Sequence, residues 1–196
     1  RHASSKLYGT SGRTREAKIL PPHTGQRASD WYRGTADAIY RNWDYVDRHR
    51  PDLVLILSGD HVYRMDYGPM VAEHLSSGAD ATIAVREVPI EEAPSFGTVL
   101  TDPSGRIDGF EEKPAQPRSN LISMGIYVFS RSVLKEELLE IVAHQGLTDF
   151  GKHIFPTMLA DGRHLQAFRF SGYWQDVGTI RAYFDAHMEM LRAGSS

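Results

Sequence analysis

Asp60 has the sequence setting that most clearly indicates chemistry. It follows an uninterrupted apolar run, residues 53–57, in the sequence LVLILSGDH. Such a run is typical of a strand buried on both faces of a parallel sheet. Ligands of open α/β sheets bind at the carboxyl ends of the strands, and Gly59 allows close backbone approach. A carboxylate here suits a magnesium ion that carries nucleotide phosphates, although an aspartate that only turns the chain fits the tripeptide equally well.

A second candidate site is the start of the helix predicted after Gly34. Thr35 can cap this helix, in which Ala36, Ile39, Trp43 and Val46 recur at helical spacing before Pro51 ends it. The free backbone N–H groups at such a helix start can bind a phosphate or another anion. Ordinary helix capping explains the same residues as well.

Several other kinds of site are disfavoured. The nine histidines form no HExxH motif, and His61 beside Asp60 is more often a packed or surface residue than a catalytic base. The sequence contains no GxSxG, Walker A or GxGxxG motif. The absence of cysteine excludes disulfides, thiolate metal sites and cysteine nucleophiles, and it makes a reducing cytoplasm the simplest compartment.

The other segments are predicted to position these residues. A helix capped by Asp66 and closed by Gly78 leads into a strand at 81–88, which completes a βαβ unit and predicts a parallel sheet. Residues 1–30 are predicted to be a long loop. The further predicted elements are a hairpin around 102–105, a strand at 121–130, a helix at 133–142, a helical stretch at 149–162 interrupted by Pro156, and a strand at 164–170. Thr179 is predicted to cap a final helix. The packing stripe of that helix is predicted to consist of Ile180, Tyr183, Phe184, His187, Met188 and Leu191.

Length and composition indicate one globular domain. The 196 residues are 41% hydrophobic and 24% charged, and they contain neither an apolar run long enough to span a membrane nor a secretory signal. The net charge is −3, yet residues 1–50 hold 10 Lys and Arg against 5 Asp and Glu. Because these basic residues are not interleaved with aromatics, a small-molecule anion site or solvated surface is favoured over nucleic-acid binding.

Seven segments together resemble one enzyme family. WYRGTADAI, LILSGDHVYRMDY, EAPSFG, FEEKP, SMGIYVF, DFGKHIFP and YWQDVGT occur in the order and at the spacing of glucose-1-phosphate adenylyltransferases. GTADA and EEKP alone are weak signals, since many sugar-nucleotide enzymes contain them. The resemblance runs from about residue 19 to residue 191, and it implies an enzyme that commits sugar to glycogen or starch.

The resemblance also implies a fold. It predicts an α/β, Rossmann-like (GT-A-like) three-layer sandwich with a mixed, mostly parallel sheet that is incomplete at the N-terminus. We expect residues 1–196 to be a single, partial catalytic domain, and the isolated chain to be inactive. Relatives have an N-terminal GGxGxRLxPLT segment, which holds the ATP phosphates, and a C-terminal left-handed β-helix; we expect both to lie outside this chain. The parent protein is expected to be a cytoplasmic homotetramer.

The site residues implied by the resemblance fall into three groups. Asp60 and Asp176 correspond to magnesium-binding aspartates, and Lys113 joins them as a catalytic residue. Gly34, Thr35 and Asp37 match a loop that closes around the nucleotide and sugar phosphates. The glucose 1-phosphate pocket is implied to contain Tyr32, Gly97, Glu112, Lys113 and Ser123.

Each of these residues has a structural alternative. Residues 111–113 are also typical of a solvated charge run, Tyr32 of a packed loop aromatic, Asp176 of a turn residue and Ser123 of an ordinary strand residue. The chain departs from the family pattern at Gln175, where arginine is usual, and at His153, where aspartate is usual.

The implied reaction is transfer of an adenylyl group from ATP to glucose 1-phosphate with Mg²⁺, which forms ADP-glucose and pyrophosphate. Two alternatives remain open. A sister enzyme would use UTP, dTTP or GTP with a sugar 1-phosphate, and a non-catalytic regulatory subunit would keep the sugar site without turnover.

Overall fold

The computed structural model describes residues 5–8, 14–20, 32–146 and 148–193. The strands are β1 (Ser5–Tyr8), β2 (Thr14–Ala17), β3 (Leu53–Leu57), β4 (His61–Tyr63), β5 (Ala81–Glu87), β6 (Gly97–Thr101), β7 (Ile107–Glu112), β8 (Leu121–Ser130), β9 (Leu165–Arg169) and β10 (Trp174–Asp176). The α-helices are α1 (Thr35–Arg41), α2 (Trp43–Arg48), α3 (Gly68–Ser77), α4 (Arg131–Glu137), α5 (Phe155–Ala160) and α6 (Ile180–Ala193). A 3₁₀ turn spans Ala93–Ser95, and π-helical turns span Leu138–His144 and Phe150–Ile154.

A six-stranded mixed sheet forms the centre of the fold. β8 pairs along one edge with β5, and along the other with β3 and β6. β7 extends the sheet beyond β6, and β9 extends it beyond β5. β3, β5, β6 and β9 share one direction, because the first three are antiparallel to β8 and β9 is parallel to β5. The prediction of an α/β fold with a mixed sheet is therefore confirmed.

The predicted sheet is mostly parallel, and most of its strands do run in one direction. Neighbouring strands, however, are mostly antiparallel, so the prediction is wrong for strand pairing. Within the described part of the chain, β5 and β9 are the one parallel pair of this sheet. The predicted βαβ unit, β3–α3–β5, does contain two strands that run the same way. They are not neighbours, because β8 lies between them in the opposite direction.

Helices cover both faces of the sheet, which gives three layers. Successive residues of β5 point to opposite faces: Ile83 and Val85 join a core with residues of α1, α4 and α5, whereas Ala84 joins a second core with Met70 of α3 and with Trp174. The first five residues of β5 are all buried, as an apolar run covered on both faces should be.

β3 differs from its prediction. Leu55 and Leu57 are 36% and 43% exposed, so β3 is not buried on both faces in the described structure. Two further differences concern the ends of the chain. The predicted loop at residues 1–30 contains the antiparallel pair β1 and β2. The apolar stripe of α6 is largely exposed, with Ile180 at 91% and Phe184 at 60%.

Other local predictions are confirmed. β6 and β7 form the hairpin predicted around residues 102–105, and the Thr179 hydroxyl caps α6 by accepting the N–H of Ala182 at 3.1 Å. Pro156 lies in the first turn of α5, directly after the π-helical turn Phe150–Ile154, so a new helical segment begins beside it, as predicted. Among the described residues, no helix combines the length and apolar character needed to cross a membrane.

Candidate active site

A short pair of strands brings two distant aspartates together. β4 and β10 pair antiparallel, with Asp176 opposite His61, and the Val177 N–H donates to the Asp60 carbonyl at 3.0 Å. One potential ligand atom from each of Asp60, His61 and Asp176 lies within 4.8 Å of the other two. The two carboxylates that the sequence placed in separate loops therefore meet at one point, just beyond the end of β3.

The donor atoms at this point suit a hard divalent cation. The Asp60 side chain is 66% exposed, so it is accessible to a ligand. Asp176 accepts the Gly178 N–H at 2.7 Å through Oδ1, which orients its carboxylate. Carboxylate oxygens are the protein ligands that Mg²⁺ prefers, and it commonly binds through one or two of them together with water and substrate phosphates.

A cavity of about 540 Å³ adjoins Asp60. The turn after β3 forms one side of it through Gly59 and Asp60, and α1 forms another through Thr35. Tyr127 and Phe150 also line it. The structure thus places Thr35 of the predicted phosphate loop next to Asp60 of the predicted metal site.

Gly125 shapes the floor of this cavity. It has a φ of 67°, a conformation that favours glycine, at the point where the register of β8 with β5 shifts. Its carbonyl accepts the Ser58 N–H at 2.9 Å. A Cβ at this position would collide with the Ser58 hydroxyl and would lie 2.8 Å from Cε1 of His61. Only glycine therefore lets the turn that carries Asp60 approach β8 this closely.

Glu112 lies between two glycines. Gly97 is its cross-strand partner, and a Cβ on Gly97 would lie 2.9 Å from the Glu112 carboxylate. A Cβ on Gly151 would collide with the same carboxylate. Burial raises the pKa of Glu112, and the negative charge of Asp149 raises it further, against the opposing effect of nearby lysines. The structure therefore brings together Gly97 and Glu112 of the predicted sugar pocket.

Ser123 belongs to the same neighbourhood through Tyr127. The Ser123 hydroxyl accepts the Gly125 N–H at 3.3 Å and hydrogen-bonds to Tyr127. Burial raises the pKa of Tyr127 to about 12; the hydrogen bond from Ser123 opposes this, whereas the charges of Glu112 and Asp149 add to it. Because Tyr127 also lines the cavity beside Asp60, it connects the predicted sugar pocket to the carboxylate pair.

Lys113 has an unusual backbone conformation. It directly follows β7 with a φ of 48°, and its N–H donates to the Phe96 carbonyl at 3.1 Å. Non-glycine residues with positive φ are uncommon, and such strained residues cluster at functional sites. Lys113 is exposed, its charge acts on Glu112, and its backbone hydrogen bond joins it to Phe96, the residue before Gly97.

Asp37 is buried, and its carboxylate is bound by two arginines of the protein itself. Its side chain is 1% exposed and accepts the Arg33 N–H at 3.0 Å and Nε of Arg41 at 2.9 Å. Burial alone would raise the pKa of Asp37, but the hydrogen bonds and charges of Arg33 and Arg41 hold it below its usual value. Gly34 packs against the Thr148 carbonyl, and the Ala36 N–H donates to that carbonyl at 3.0 Å.

The hydrogen bonds described for Tyr32 reach no other residue of the predicted sugar pocket. Its hydroxyl donates to the Leu20 carbonyl at 3.0 Å and accepts from the Asn42 amide at 2.8 Å. These bonds tie Tyr32 to the segment that ends at Leu20 and to the junction between α1 and α2. A role for Tyr32 in sugar binding therefore stays a prediction, and the neighbouring Trp31 lies outside the described residues.

The two departures from the family pattern make local hydrogen bonds. The Gln175 side chain accepts from the Tyr173 hydroxyl at 3.0 Å and donates to the Ala182 carbonyl at 3.4 Å, so it connects β10 to α6. His153 accepts the Asp149 N–H at 3.2 Å through Nδ1. Hydrogen bonds are therefore the side-chain interactions that the described structure shows at these two positions.

Sequence reasoning missed three residues of this site: Gly125, Tyr127 and Phe150. All three lie in segments that carried the family resemblance, SMGIYVF and DFGKHIFP. Two-residue alternation along a strand, counted from Ser123, would have indicated Gly125 and Tyr127 as residues of the same face. No comparable signal marked Phe150, because its approach to the cavity depends on how a π-helical turn packs against β8.

An α/β fold in which two carboxylates converge just beyond the end of a strand is typical of a domain that binds phosphates through a metal ion, and comparison with known proteins assigns the family. The family described as Nucleotidyl transferase matches residues 10–193. The chain therefore belongs to the nucleotidyl transferase family, whose members generally use divalent metal ions.

Curated relatives share about half of the aligned residues with this chain. Glucose-1-phosphate adenylyltransferase from Thermotoga neapolitana is 52% identical over 89% of the chain and 42% of its own length. The enzymes of that name from Desulfitobacterium hafniense and Halalkalibacterium halodurans are 50% and 51% identical, over 89% and 91% of the chain and 44% and 47% of their own lengths. The resemblance predicted from the sequence is thus confirmed, and the chain spans less than half the length of these relatives.

Proposed function

We propose that the protein containing this chain transfers the adenylyl group of ATP to α-D-glucose 1-phosphate, forming ADP-glucose and pyrophosphate for glycogen or starch synthesis. The observation that carries the proposal is the convergence of Asp60 and Asp176 beside the cavity. The choice of ATP and glucose 1-phosphate is supported by relatives at about 50% identity, which are named glucose-1-phosphate adenylyltransferases.

The reaction needs positioning and charge neutralisation more than proton transfer. A phosphate oxygen of glucose 1-phosphate attacks the α-phosphorus of ATP, and the bond from that phosphorus to the pyrophosphate oxygen breaks in line. The attacking oxygen already carries a negative charge, so no general base is required. Transition-state stabilisation then comes from preorganised positive charge and hydrogen-bond donors.

Asp60 and Asp176 would hold the cation in this scheme. A bound Mg²⁺ would neutralise charge that develops on the phosphates and help to orient them. The Gly178 N–H keeps the Asp176 carboxylate oriented, and the exposed Asp60 carboxylate leaves room for a phosphate and water.

Glu112 and Lys113 would bind the sugar phosphate. A half-buried carboxylate whose pKa is raised by burial is stabilised when hydroxyl donors reach it, so Glu112 would accept from sugar hydroxyls. Lys113 would place its ammonium on the phosphate. Gly97 and Ser123 would line the pocket beside Glu112, and Tyr32 would complete it.

Gly34, Thr35 and Asp37 would form the loop next to the phosphates. Thr35 lines the cavity beside Asp60 and would contact them, while Gly34 permits the tight approach of Thr148. Asp37 would act indirectly, because its hydrogen bonds from Arg33 and Arg41 shape the loop. We also propose a cytoplasmic homotetramer for the whole protein, on the strength of the family resemblance and the cysteine-free sequence.

The test is pyrophosphate release by the full-length protein with glucose 1-phosphate and Mg²⁺, using ATP, UTP, dTTP and GTP in parallel. We expect release with ATP and a loss of at least ~100-fold in kcat for Asp60→Asn, because the cation loses a charged ligand. Asp108→Asn, an exposed change in β7, is the matched control and should leave the rate unchanged.

Two outcomes would contradict the proposal. Release with another nucleotide in preference to ATP would assign the protein to a sister nucleotidyltransferase. No release with any of the four nucleotides would favour a regulatory subunit that has kept the fold without turnover.

A further inference from the structure

His61 is the member of the carboxylate cluster to which the proposed chemistry assigns no role. Its side chain is 10% exposed, in contrast to the adjacent Asp60 at 66%. Its ring packs edge-on against Trp174, with ring centroids 4.9 Å apart. Another side of the ring faces Gly125: a Cβ on that residue would lie 2.8 Å from Cε1 of His61. The ring thus lies in a slot between Trp174 and Gly125, and its orientation is determined by packing.

The surroundings of the two ring nitrogens differ. Nε2 lies 3.6 Å from Oδ1 of Asp60. Nδ1 is buried and has no hydrogen-bond partner within the described part of the chain. A neutral imidazole carries one proton, and of the two ring nitrogens only Nε2 has an acceptor nearby, the Asp60 carboxylate. The proton therefore belongs on Nε2, where the carboxylate of Asp60 can accept it.

A nitrogen that carries a proton cannot be a metal ligand. The position of His61 in the cluster is compatible with two roles, which differ in the nitrogen that carries the proton. An Nε2–H directed at Asp60 makes His61 a donor to the carboxylate. Ligation of the cation through Nε2 would require the proton to move to Nδ1, where the described structure offers no acceptor.

We propose that His61 is a positioning residue whose Nε2–H donates to Oδ1 of Asp60 and so turns the other carboxylate oxygen toward the cation shared with Asp176. The inference rests on the proposed function, because it assumes that Asp60 and Asp176 bind a cation. The present separation of 3.6 Å is longer than a hydrogen bond. A small rotation of the exposed Asp60 side chain closes it, as is common when a site binds its ligand.

The experiment measures binding of Mn²⁺ alone to the full-length protein by electron paramagnetic resonance, without nucleotide or sugar. His61→Phe keeps a ring against Trp174 but removes the donor, and we expect Mn²⁺ to bind ~10-fold more weakly, the effect of losing one hydrogen bond to a charged group. His61→Gln places an amide N–H near the position of Nε2 and should stay within ~3-fold of the natural protein. His61→Asn places its amide near Nδ1 and should not rescue binding. His49→Gln, at an exposed position, is the control.

Three results would overturn the inference. The first is unchanged Mn²⁺ binding by folded His61→Phe. If that variant does not fold, equal Mn²⁺ binding by His61→Gln and His61→Asn is the corresponding result. The second is a directly bound imidazole nitrogen in the pulsed spectrum of the natural protein, which would make His61 a ligand. The third is unchanged Mn²⁺ binding by Asp60→Asn. That result would show that Asp60 does not hold the cation, and it would contradict the proposed function as well.

Discussion

At the scale of single residues, Glu112 lowers the stability of the folded protein and is also one of the residues proposed to bind the sugar. Two glycines make room for its carboxylate, and burial raises its pKa above the usual value. The folded state therefore disfavours the charged form, so this group reduces the free energy of unfolding as the pH rises past the unfolded pKa of about 4.5. A residue that costs stability in this way is a candidate for function.

Replacing Glu112 with Gln tests that reasoning. We expect the free energy of unfolding at pH 7 to rise slightly, by less than ~1 kcal/mol because the group is only half-buried. We expect kcat/KM for glucose 1-phosphate to fall ~10- to 100-fold, since hydrogen bonds to a charged acceptor are stronger than those to a neutral amide. Thermal unfolding and initial rates measure the two effects.

Glu111→Gln is the matched control, because Glu111 pairs at the surface with Arg118 at 2.6 Å. It should change both quantities little. A Glu112→Gln variant with unchanged sugar kinetics would exclude Glu112 from the sugar pocket.

At the scale of elements, His74 connects α3 to the sheet. It is 1% exposed, with Nδ1 2.9 Å from the Thr82 hydroxyl in β5 and Nε2 3.4 Å from the Ser130 hydroxyl at the end of β8. Burial lowers the pKa of His74 below its usual value of 6.5, although Asp80 acts in the opposite direction. The helix is therefore held against two strands by a histidine that the fold keeps neutral.

The lowered pKa of His74 predicts that acid reduces the stability of the folded protein. Below pH 6.5 the unfolded chain protonates His74 more readily than the folded protein does, so the contribution of this group to stability is complete above pH 6.5 and is lost as the pH falls. We expect the unfolding free energy to fall from pH 7.5 to 5.5, by at most ~1.4 kcal/mol per pH unit from this residue.

Urea unfolding at several pH values measures that slope. His74→Gln should be less stable at pH 7.5 but show a shallower dependence, whereas His187→Gln, at an exposed position of α6, should keep the slope of the natural chain. Equal slopes for the natural chain and His74→Gln would contradict the prediction.

At the scale of the whole molecule, the described structure leaves apolar surface uncovered. Ile180, Tyr183 and Phe184 of α6 are each more than half exposed, and Leu55 and Leu57 of β3 are partly exposed. α6 rests on the rest of the molecule by its other side, where Ala186 is fully buried. An apolar stripe that faces solvent promotes association.

We therefore expect the isolated 196-residue chain to bind the dye ANS and to self-associate as its concentration rises. The double change Ile180→Ser and Phe184→Ser should reduce both effects without lowering the thermal midpoint, because neither side chain is buried. Phe155→Ala, at a fully buried position, should instead cost ~3–5 kcal/mol. Unchanged dye binding by the double variant would show that the stripe is not the responsible surface.

The sequence alone predicted many of the local elements and the types of residue at the site. Apolar runs and turn residues predicted the strand at 53–57, the β6–β7 hairpin and the cap at Thr179, since such signals depend on neighbouring residues. The motif resemblance selected Asp60, Asp176, Gly97 and Glu112, which the structure brings together as two pairs.

Only the tertiary structure decided which elements became neighbours. Pairing of β4 with β10 brought Asp176 to Asp60, and insertion of β8 turned an expected parallel sheet into one with mostly antiparallel neighbours. Local sequence patterns also did not predict the irregularity of β8 at Gly125 or the exposure of the apolar stripe of α6. The physical reason is that strand pairing and burial are set by contacts between residues far apart in sequence, whereas periodicity reports only which side of an element is apolar.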